Sequence, residues 1–374
     1  MTTGSTEIDR KRDAFSPTDE AFMRRALALA RLAAYSVSPN PSVGCVLTRA
    51  DAIVGEGWTQ PPGGAHAEIK ALSTCTDPRG TTAYVTLEPC AHTGRTGPCC
   101  EALIEAGVAR VVAAIEDPFE AVRGRGLARL REAGVDVQLG LLADEARRHH
   151  AGFLTRVATG RPFVRVKIAA SLDGATALSN GESKWITGEA ARRDVHWLRA
   201  ASDAVVTGVG TVIADNPMLT ARLDQSHTEP LRVTQPRAVL LDSDFSSPPQ
   251  SNLLQRDSLV FTAPDTDVPA GAFEQAALPR AGRGLDLGAL LDELGRRQHN
   301  EVLVEAGPRL TGAFIEARLL DELIVYQAPR LMGAGARTMA NIGPFSSMDD
   351  VIQLTPVASE RVGDCTKMTF TRSD

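Results

Sequence analysis

The sequence predicts an α/β protein made of two domains, each built on a layered sheet. Three observations carry this expectation. A chain of 374 residues is longer than one ordinary core requires. Stretches with strand character alternate with stretches of helical periodicity along its length. The alternation then restarts after Gly160-Arg161-Pro162, where a fresh strand is expected at Phe163–Ala169. The expected division is a disordered polar lead-in at 1–15, a first domain at 16–160 and a second at 161–374.

The elements follow in order. Ser16-Pro17-Thr18-Asp19 supplies an N-cap, a first-turn proline and acidic residues, so 17–34 reads as a helix with Phe22, Ala26, Leu29, Ala30 and Ala33 on one face. Ser38-Pro39-Asn40-Pro41 breaks it. Val43–Thr48 and Ala52–Gly57 read as strands joined by a turn, and Ala65–Leu72 as a helix whose first turn carries His66 and Glu68. Thr82–Leu87 is a strand with Glu88-Pro89-Cys90 at its end, and Pro98 begins the next helix. Val111–Ile115, Gly126–Ala133 and Val135–Gln138 continue as strand, helix and strand.

In the second half, a helix is expected from Thr187-Gly188-Glu189 to about Ala200. Strands are expected at Ala204–Val209, Ala238–Leu241, Leu259–Thr262, Glu301–Val304 and Leu323–Gln327. Glu305–Gly312 reads as a glycine turn that opens a helix. The sequence shows no internal repeat and no low-complexity block.

Composition narrows the function classes. Hydrophobic residues at 43% and charged residues at 23% fit a globular protein. A net charge of −6 with 5% aromatics disfavours nucleic acid as the main partner. No window nears the roughly 18 apolar residues of a membrane span, and the first twenty residues lack a secretory core, so the cytoplasm is the expected location. Cys45, Cys75 and Cys365 suit small core positions rather than a disulfide framework.

The stretch His66–Cys100 carries the chemistry. Three soft ligands, His66, Cys90 and a cysteine at 99 or 100, suit one zinc ion with a fourth position left open, which is the pattern of a catalytic site. Cys99 is favoured because it directly follows Pro98 at the helix start, while Cys100 points about 100° further round. Glu68, two residues after His66, is placed to shuttle a proton between water and a leaving amine. The order His-x-Glu, then Pro-Cys, matches the zinc nucleobase deaminases. A closed structural site, with His92 as a fourth ligand, is the bland alternative, but it has no use for Glu68.

Eight residues separate Cys90 from Cys99, longer than the Pro-Cys-x-x-Cys of nucleic-acid and cytidine deaminases. With Ser38-Pro39-Asn40-Pro41-Ser42-Val43-Gly44 and Val85-Thr86-Leu87-Glu88-Pro89-Cys90, this long form resembles the RibD family of bifunctional riboflavin-biosynthesis enzymes. Lys167–Gly174, Gly181–Thr187, Ala214-Asp215-Asn216-Pro217 and Val304–Pro308 extend the resemblance through the second half. It implies a cytidine-deaminase-like three-layer α/β/α domain followed by a dihydrofolate-reductase-like α/β domain. The implied reactions are deamination of 2,5-diamino-6-ribosylamino-pyrimidinone 5′-phosphate and NADPH-dependent reduction of its ribosyl chain.

The resemblance also implies residue roles. His66, Cys90 and Cys99 would hold zinc, Glu68 would donate the proton, Asn40 would contact the base and Arg95 the phosphate. NADPH would be bound by Ala169, Trp185, Thr211, Asp215, Ser243 and the turn Gly307, Pro308, Arg309, Leu310, Thr311, Gly312 and Ala313. Substrate of the reductase would meet Ser183, Arg199, Leu219, Arg222 and Glu305. Lys167 and Asp215 are candidates for assisting hydride transfer, since the acceptor at the ribose carbon is an iminium or an opened aldehyde, which a nearby cation or acid helps.

The expected partners are a small phosphorylated pyrimidine and a second copy of the chain in a dimer or tetramer, with no nucleic acid and no membrane. The absence of a Gly-x-Gly-x-x-Gly fingerprint accords with a dinucleotide site outside the Rossmann class. One departure stands out: Gly57-Trp58 is followed by Thr59-Gln60, where the family often has a histidine.

Overall fold

Ser16 starts the first helix by a reciprocal capping box: its hydroxyl accepts the Asp19 N–H at 3.0 Å, and the Asp19 carboxylate accepts the Ser16 N–H at 2.8 Å. In the computed structural model, which describes residues 15–91, 97–119, 122–224 and 232–373, this helix is α1 (Pro17–Ala33). The chain divides into two compact units, the first holding the chain to Thr159 and the second nearly all of it from Gly160.

The first unit is a five-stranded sheet in the order β2-β1-β3-β4-β5. Its strands are β1 (Gly44–Arg49), β2 (Ala52–Trp58), β3 (Thr82–Val85), β4 (Arg110–Ala113) and β5 (Asp136–Leu139). β1 runs antiparallel to β2 and β3, while β3, β4 and β5 are parallel. The helices are α2 (Ala67–Thr74), α3 (Cys99–Glu105), α4 (Arg125–Glu132), α5 (Ala143–His149) and α6 (Ala151–Thr159).

Glycines show how the layers stack. A Cβ on Gly44 would lie 1.9 Å from the Ala26 carbonyl oxygen of α1, and one on Gly57 would lie 2.4 Å from that of Ala67 in α2. Gly57 pairs with Cys45, the neighbour of Gly44. Adjacent strand residues face opposite sides, so α1 and α2 cover opposite faces, giving three layers. His66 is the N-cap of α2, not a residue of its first turn as expected, because its extended ψ of 164° turns the chain into the helix.

The second unit holds a nine-stranded sheet, β11-β10-β9-β8-β14-β6-β15-β18-β17. In chain order it runs β6 (Phe163–Ser171), β7 (Ala175–Ala177), α7 (Glu189–Ala200), β8 (Ala204–Gly208), α8 (Val209–Asp215), β9 (Arg237–Leu241), β10 (Ser258–Thr262) and β11 (Glu274–Ala277). The short β12 (Arg280–Ala281) and β13 (Gly284–Leu285) precede α9 (Leu287–Arg296), β14 (Glu301–Val304), α10 (Pro308–Glu316) and β15 (Glu322–Ala328). β16 (Arg337–Thr338), β17 (Leu354–Val362) and β18 (Cys365–Arg372) close the chain.

Strands β11 through β15 in the sheet order are parallel, and β18 and β17 add an antiparallel edge. β14 is central, which is why Val302, Leu303 and Val304 are all buried instead of alternating. At the opposite end from the strand C-termini, Arg161 grips Asp321 bidentately at 2.6 and 2.7 Å, and Arg165 bridges Glu301 and Glu322. The C-terminal ends carry the loops instead. Among the described residues no helix is long and apolar enough to cross a membrane.

Candidate active sites

Three elements bring the first site together. His66 caps α2, Cys90 follows β3, and Cys99 opens α3. The His66 Nδ1 lies 3.2 Å from the Cys99 Sγ and 3.6 Å from the Cys90 Sγ, and all three donor atoms fall within 4.8 Å of one another. A tetrahedral ion with bonds of about 2.0–2.3 Å has edges of about 3.3–3.8 Å, so the donor set fits zinc in size as well as in softness. Cys100 turns away into the core formed with Leu103 and Val108, while its N–H donates to the Cys90 carbonyl at 3.2 Å.

The local electrostatics favour a thiolate at Cys90. Its hydrogen bond with Cys99 and the imidazole of His66 hold its pKa well below the usual thiol range against the cost of burial. The Cys99 N–H, at the start of α3, donates to the same sulfur at 3.3 Å. The Cys99 thiol is pushed up by that hydrogen bond and by burial, and His66 is raised by Cys90. Glu68 is 4% exposed, and burial followed by the Cys90 charge lifts its carboxyl to about 7. A carboxyl near neutrality can both take and give a proton, as a shuttle must.

Asn40 stands on a loop tied down from three sides. The Val43 N–H donates to the Thr59 hydroxyl at 3.0 Å, the Gly44 N–H to that of Thr86 at 3.1 Å, and the His149 Nε2 meets Ser42 at 2.9 and 3.0 Å. Thr59, at the position where the family often has a histidine, is thus turned inward as a brace. Gln60 folds back to donate to the Trp58 carbonyl. Arg95 and His92 lie outside the described residues.

The second site lies along the C-terminal ends of the parallel strands. Glu305, just past β14, accepts from Arg199 of α7 at 2.5 and 3.1 Å and pairs with Lys167 of β6 at 3.6 Å. Burial alone would raise the Glu305 carboxyl, but Lys167 and Arg199 hold it below its usual range. Arg199 also donates to the Thr220 carbonyl, next to Leu219, which adopts a left-handed φ of 52°. The Arg222 N–H approaches the His196 Nδ1 at 3.2 Å. His196, one helical turn from Arg199, is a neighbour that sequence reading overlooked, although the i, i+3 spacing signals it.

The expected cofactor residues gather at the same edge. β8 and β14 are adjacent, and the helices that follow them begin side by side: a Cβ on Gly208 would sit 3.4 Å from Leu310, and one on Gly307 would sit 4.0 Å from Thr211. Helix starts at such a crevice suit phosphate. Gly307 and Arg309 are exposed there, and Ala169, Pro308, Leu310 and Ala313 are half-buried. Thr311 and Gly312 are buried; Gly312 is needed because the Asn341 carbonyl oxygen would lie 2.0 Å from a Cβ.

Ser243 follows β9 and donates to Asp244. Trp185 is 62% exposed with the Arg192 guanidinium 4.6 Å over its ring, and Ser183 is half-buried in the same segment. The ion partner of Asp215 is Lys184 at 3.9 Å, whereas that of Lys167 is Glu305, so these contacts do not join the two residues.

The fold and the donor set define a zinc-dependent ring deaminase carried in one chain with a second, largely parallel α/β unit. Residues 16–115 match the cytidine and deoxycytidylate deaminase zinc-binding region, and residues 162–368 match the RibD C-terminal domain. The riboflavin biosynthesis protein RibD of Escherichia coli K12 is 45% identical over 90% of this chain and 94% of its own length. That of Haemophilus influenzae is 44% identical over 96% and 98%. Among solved structures, Acinetobacter baumannii RibD superposes with a TM-score of 0.85 at 39% identity, covering 96% of this chain and 99% of its own. A Thermotoga maritima diaminohydroxyphosphoribosylaminopyrimidine deaminase/5-amino-6-(5-phosphoribosylamino)uracil reductase does so with 0.84 at 30% identity, covering 95% and 99%.

The chain belongs to the RibD family. It is a bifunctional deaminase and reductase of riboflavin biosynthesis, with zinc and NADPH as its cofactors.

Proposed function

We propose that His66, Cys90 and Cys99 hold the zinc of the deaminase and that Glu68 moves the proton. The substrate is 2,5-diamino-6-ribosylamino-pyrimidinone 5′-phosphate, and the observation that carries the reading is the buried Glu68 carboxyl on the first turn of α2 beside a His/Cys/Cys donor set whose atoms lie within 4.8 Å of one another. When bound, zinc supplies a Lewis acid that ionises water near neutral pH. Glu68 accepts the proton released by the water and returns it to the ring amine, which leaves as ammonia while the ring carbon keeps the oxygen. Asn40 orients the base from its braced loop, and Arg95 takes the phosphate.

In the second unit, NADPH supplies a hydride when bound. Ala169, Trp185, Thr211, Asp215, Ser243 and Gly307 through Ala313 hold it along the strand ends. Arg199, with Ser183, Leu219, Arg222 and Glu305, holds the sugar phosphate. Lys167, paired with Glu305, offers its cation to the oxygen of the opened aldehyde as the sugar carbon receives the hydride, and Asp215 assists from the end of α8. The deaminase occupies 16–160 and the reductase 161–374, working in the cytoplasm.

The test is Glu68→Gln in the full chain. Metal content should stay at one zinc while ammonia release falls by about a hundredfold or more, the scale of a lost acid–base group. NADPH oxidation with the deaminated sugar phosphate should be unchanged. Ammonia release at the wild-type rate would remove Glu68 from the reaction.

A homo-oligomer completes the proposal. β17 is the outermost strand, exposed along most of its length, with Val357 45% exposed. An open edge invites antiparallel pairing with the same edge of a second copy about a two-fold axis. Sedimentation of the full chain should give a dimer or tetramer; a monomer at micromolar concentration would contradict it.

A further inference from the structure

Glu88 is buried, 3% exposed, at the end of the strand that delivers Cys90. Its carboxylate touches no cation in the described contacts and is instead filled by main-chain donors. The Oε2 accepts the N–H of Asp117 at 3.2 Å and of Gly124 at 2.9 Å, and the Oε1 accepts those of Gly126 at 2.9 Å and Leu127 at 3.3 Å. Four donors use the full in-plane accepting capacity of a carboxylate. Its own N–H donates to the Ile115 carbonyl at 2.9 Å, so Glu88 joins the end of β3 to the exit of β4 and to the first turn of α4.

The clamp bears directly on the ligand segment. Gly126 lies so close to Pro89 that a Cβ there would be 1.9 Å from the Pro89 carbonyl oxygen. On its other side the segment is gripped by α3, whose Cys100 N–H donates to the Cys90 carbonyl and whose Cys99 N–H donates to the Cys90 sulfur. Pro89-Cys90 is therefore held between two helix starts, and Glu88 secures one of them.

We propose that Glu88 is a positioning residue of the deaminase: by clamping the first turn of α4 against Pro89, it fixes the Cys90 sulfur at the place the metal geometry requires. The inference rests on the reading of Cys90 as a ligand. Supporting groups behind metal ligands change affinity or activity by about 10–100-fold when removed. Glutamine is the discriminating substitution, because its one oxygen can serve only one pair of donors while its NH2 faces the other pair.

The test uses the full chain with Glu88→Gln, Glu88→Ala and Cys90→Ser, loaded with cobalt(II) in place of zinc for spectroscopy and with zinc for turnover. In Glu88→Gln the cobalt d–d bands and the thiolate charge-transfer band should shift, and a chelator should remove metal about tenfold more readily. Deaminase kcat should fall about tenfold with KM within about twofold, because the group acts through the metal geometry and not through substrate contact. Glu88→Ala should show a larger loss of the same kind. NADPH oxidation with the deaminated sugar phosphate should stay within about twofold as the fold control.

An unchanged cobalt spectrum and unchanged deaminase kcat in Glu88→Gln would overturn the proposal. So would equal loss of both activities, which would make Glu88 a support of the whole chain. Cys90→Ser separates the two readings. If it retains wild-type metal binding, the ligand assignment fails. If it loses metal while Glu88→Gln is silent, only the role of Glu88 fails.

Discussion

Asp19 closes the α1 capping box with one oxygen and reaches across the first unit with the other. Its Oδ1 accepts from the Tyr84 hydroxyl and from Arg110, each at 2.7 Å. Burial by itself would raise the carboxyl, but Arg110, Tyr84 and Ser16 together hold it well below the usual carboxylate range. The sign follows from linkage. The folded chain resists protonation at Asp19, whereas the unfolded chain takes the proton at about pH 4, so this stabilisation is complete above that pH and is lost as the solution is acidified below it. Asp19→Asn should cost about 2 kcal/mol at pH 7, less than a fully buried pair because Arg110 keeps partial contact with water. The gap to wild type in urea unfolding should shrink from pH 7 to pH 3. A gap that stays constant over that range would show that the charge of Asp19 contributes nothing.

At the level of elements, the approach of β2 to α2 sets the position of both His66 and Glu68. A Cβ on Gly57 would sit 2.4 Å from the Ala67 carbonyl oxygen and from the Ala71 N, and one on Gly55 would sit 2.5 Å from the Ala71 carbonyl oxygen. Ala67 lies between His66 and Glu68 in the chain. Gly57→Ala must therefore push the first turn of α2 outward; overpacking of this kind costs about 1–3 kcal/mol. Zinc affinity and ammonia release should both fall in this variant while the reductase rate holds. Wild-type zinc affinity in Gly57→Ala would mean that α2 can yield without moving its ligand.

How much of this was legible depended on chemistry more than on pattern. Ligation admits few residue types, so His66, Cys90 and Cys99 stood out from sequence. β3, β4, β8, β9, β10 and β14 stood out too, because burial on both faces makes unbroken apolar runs such as Val302-Leu303-Val304. α8 was hidden because the apolar run Ala204–Val209 reads as strand to its end, whereas the strand stops at Gly208 and Val209 already opens the helix. β17 was hidden because it is exposed on most of its length and so shows no alternation. α9 had a readable signal in the Asp286 N-cap and the leucines at 290, 291 and 294, and went unassigned. The Lys167–Glu305–Arg199 cluster had no local signal, since its members come from β6, α7 and the end of β14.

For the whole molecule, the consequence is two chemistries that can be separated by removing one ion. The donor set of His66, Cys90 and Cys99 lies entirely in the unit that ends at Thr159, and the residues proposed for NADPH lie entirely in the unit that begins at Gly160. An ion that binds the folded form of one unit stabilises that unit by mass action, by about 4 kcal/mol at a thousandfold excess over its Kd. Stripping zinc with a strong chelator should therefore abolish ammonia release and lower the melting transition of the first unit. The second unit should keep both its transition and its NADPH oxidation with the deaminated sugar phosphate, to within about twofold. Re-addition of zinc should restore the first transition together with deamination. If chelation lowered both transitions in parallel, the metal would be a support common to the whole chain, and the division of labour between the two units would have to be abandoned.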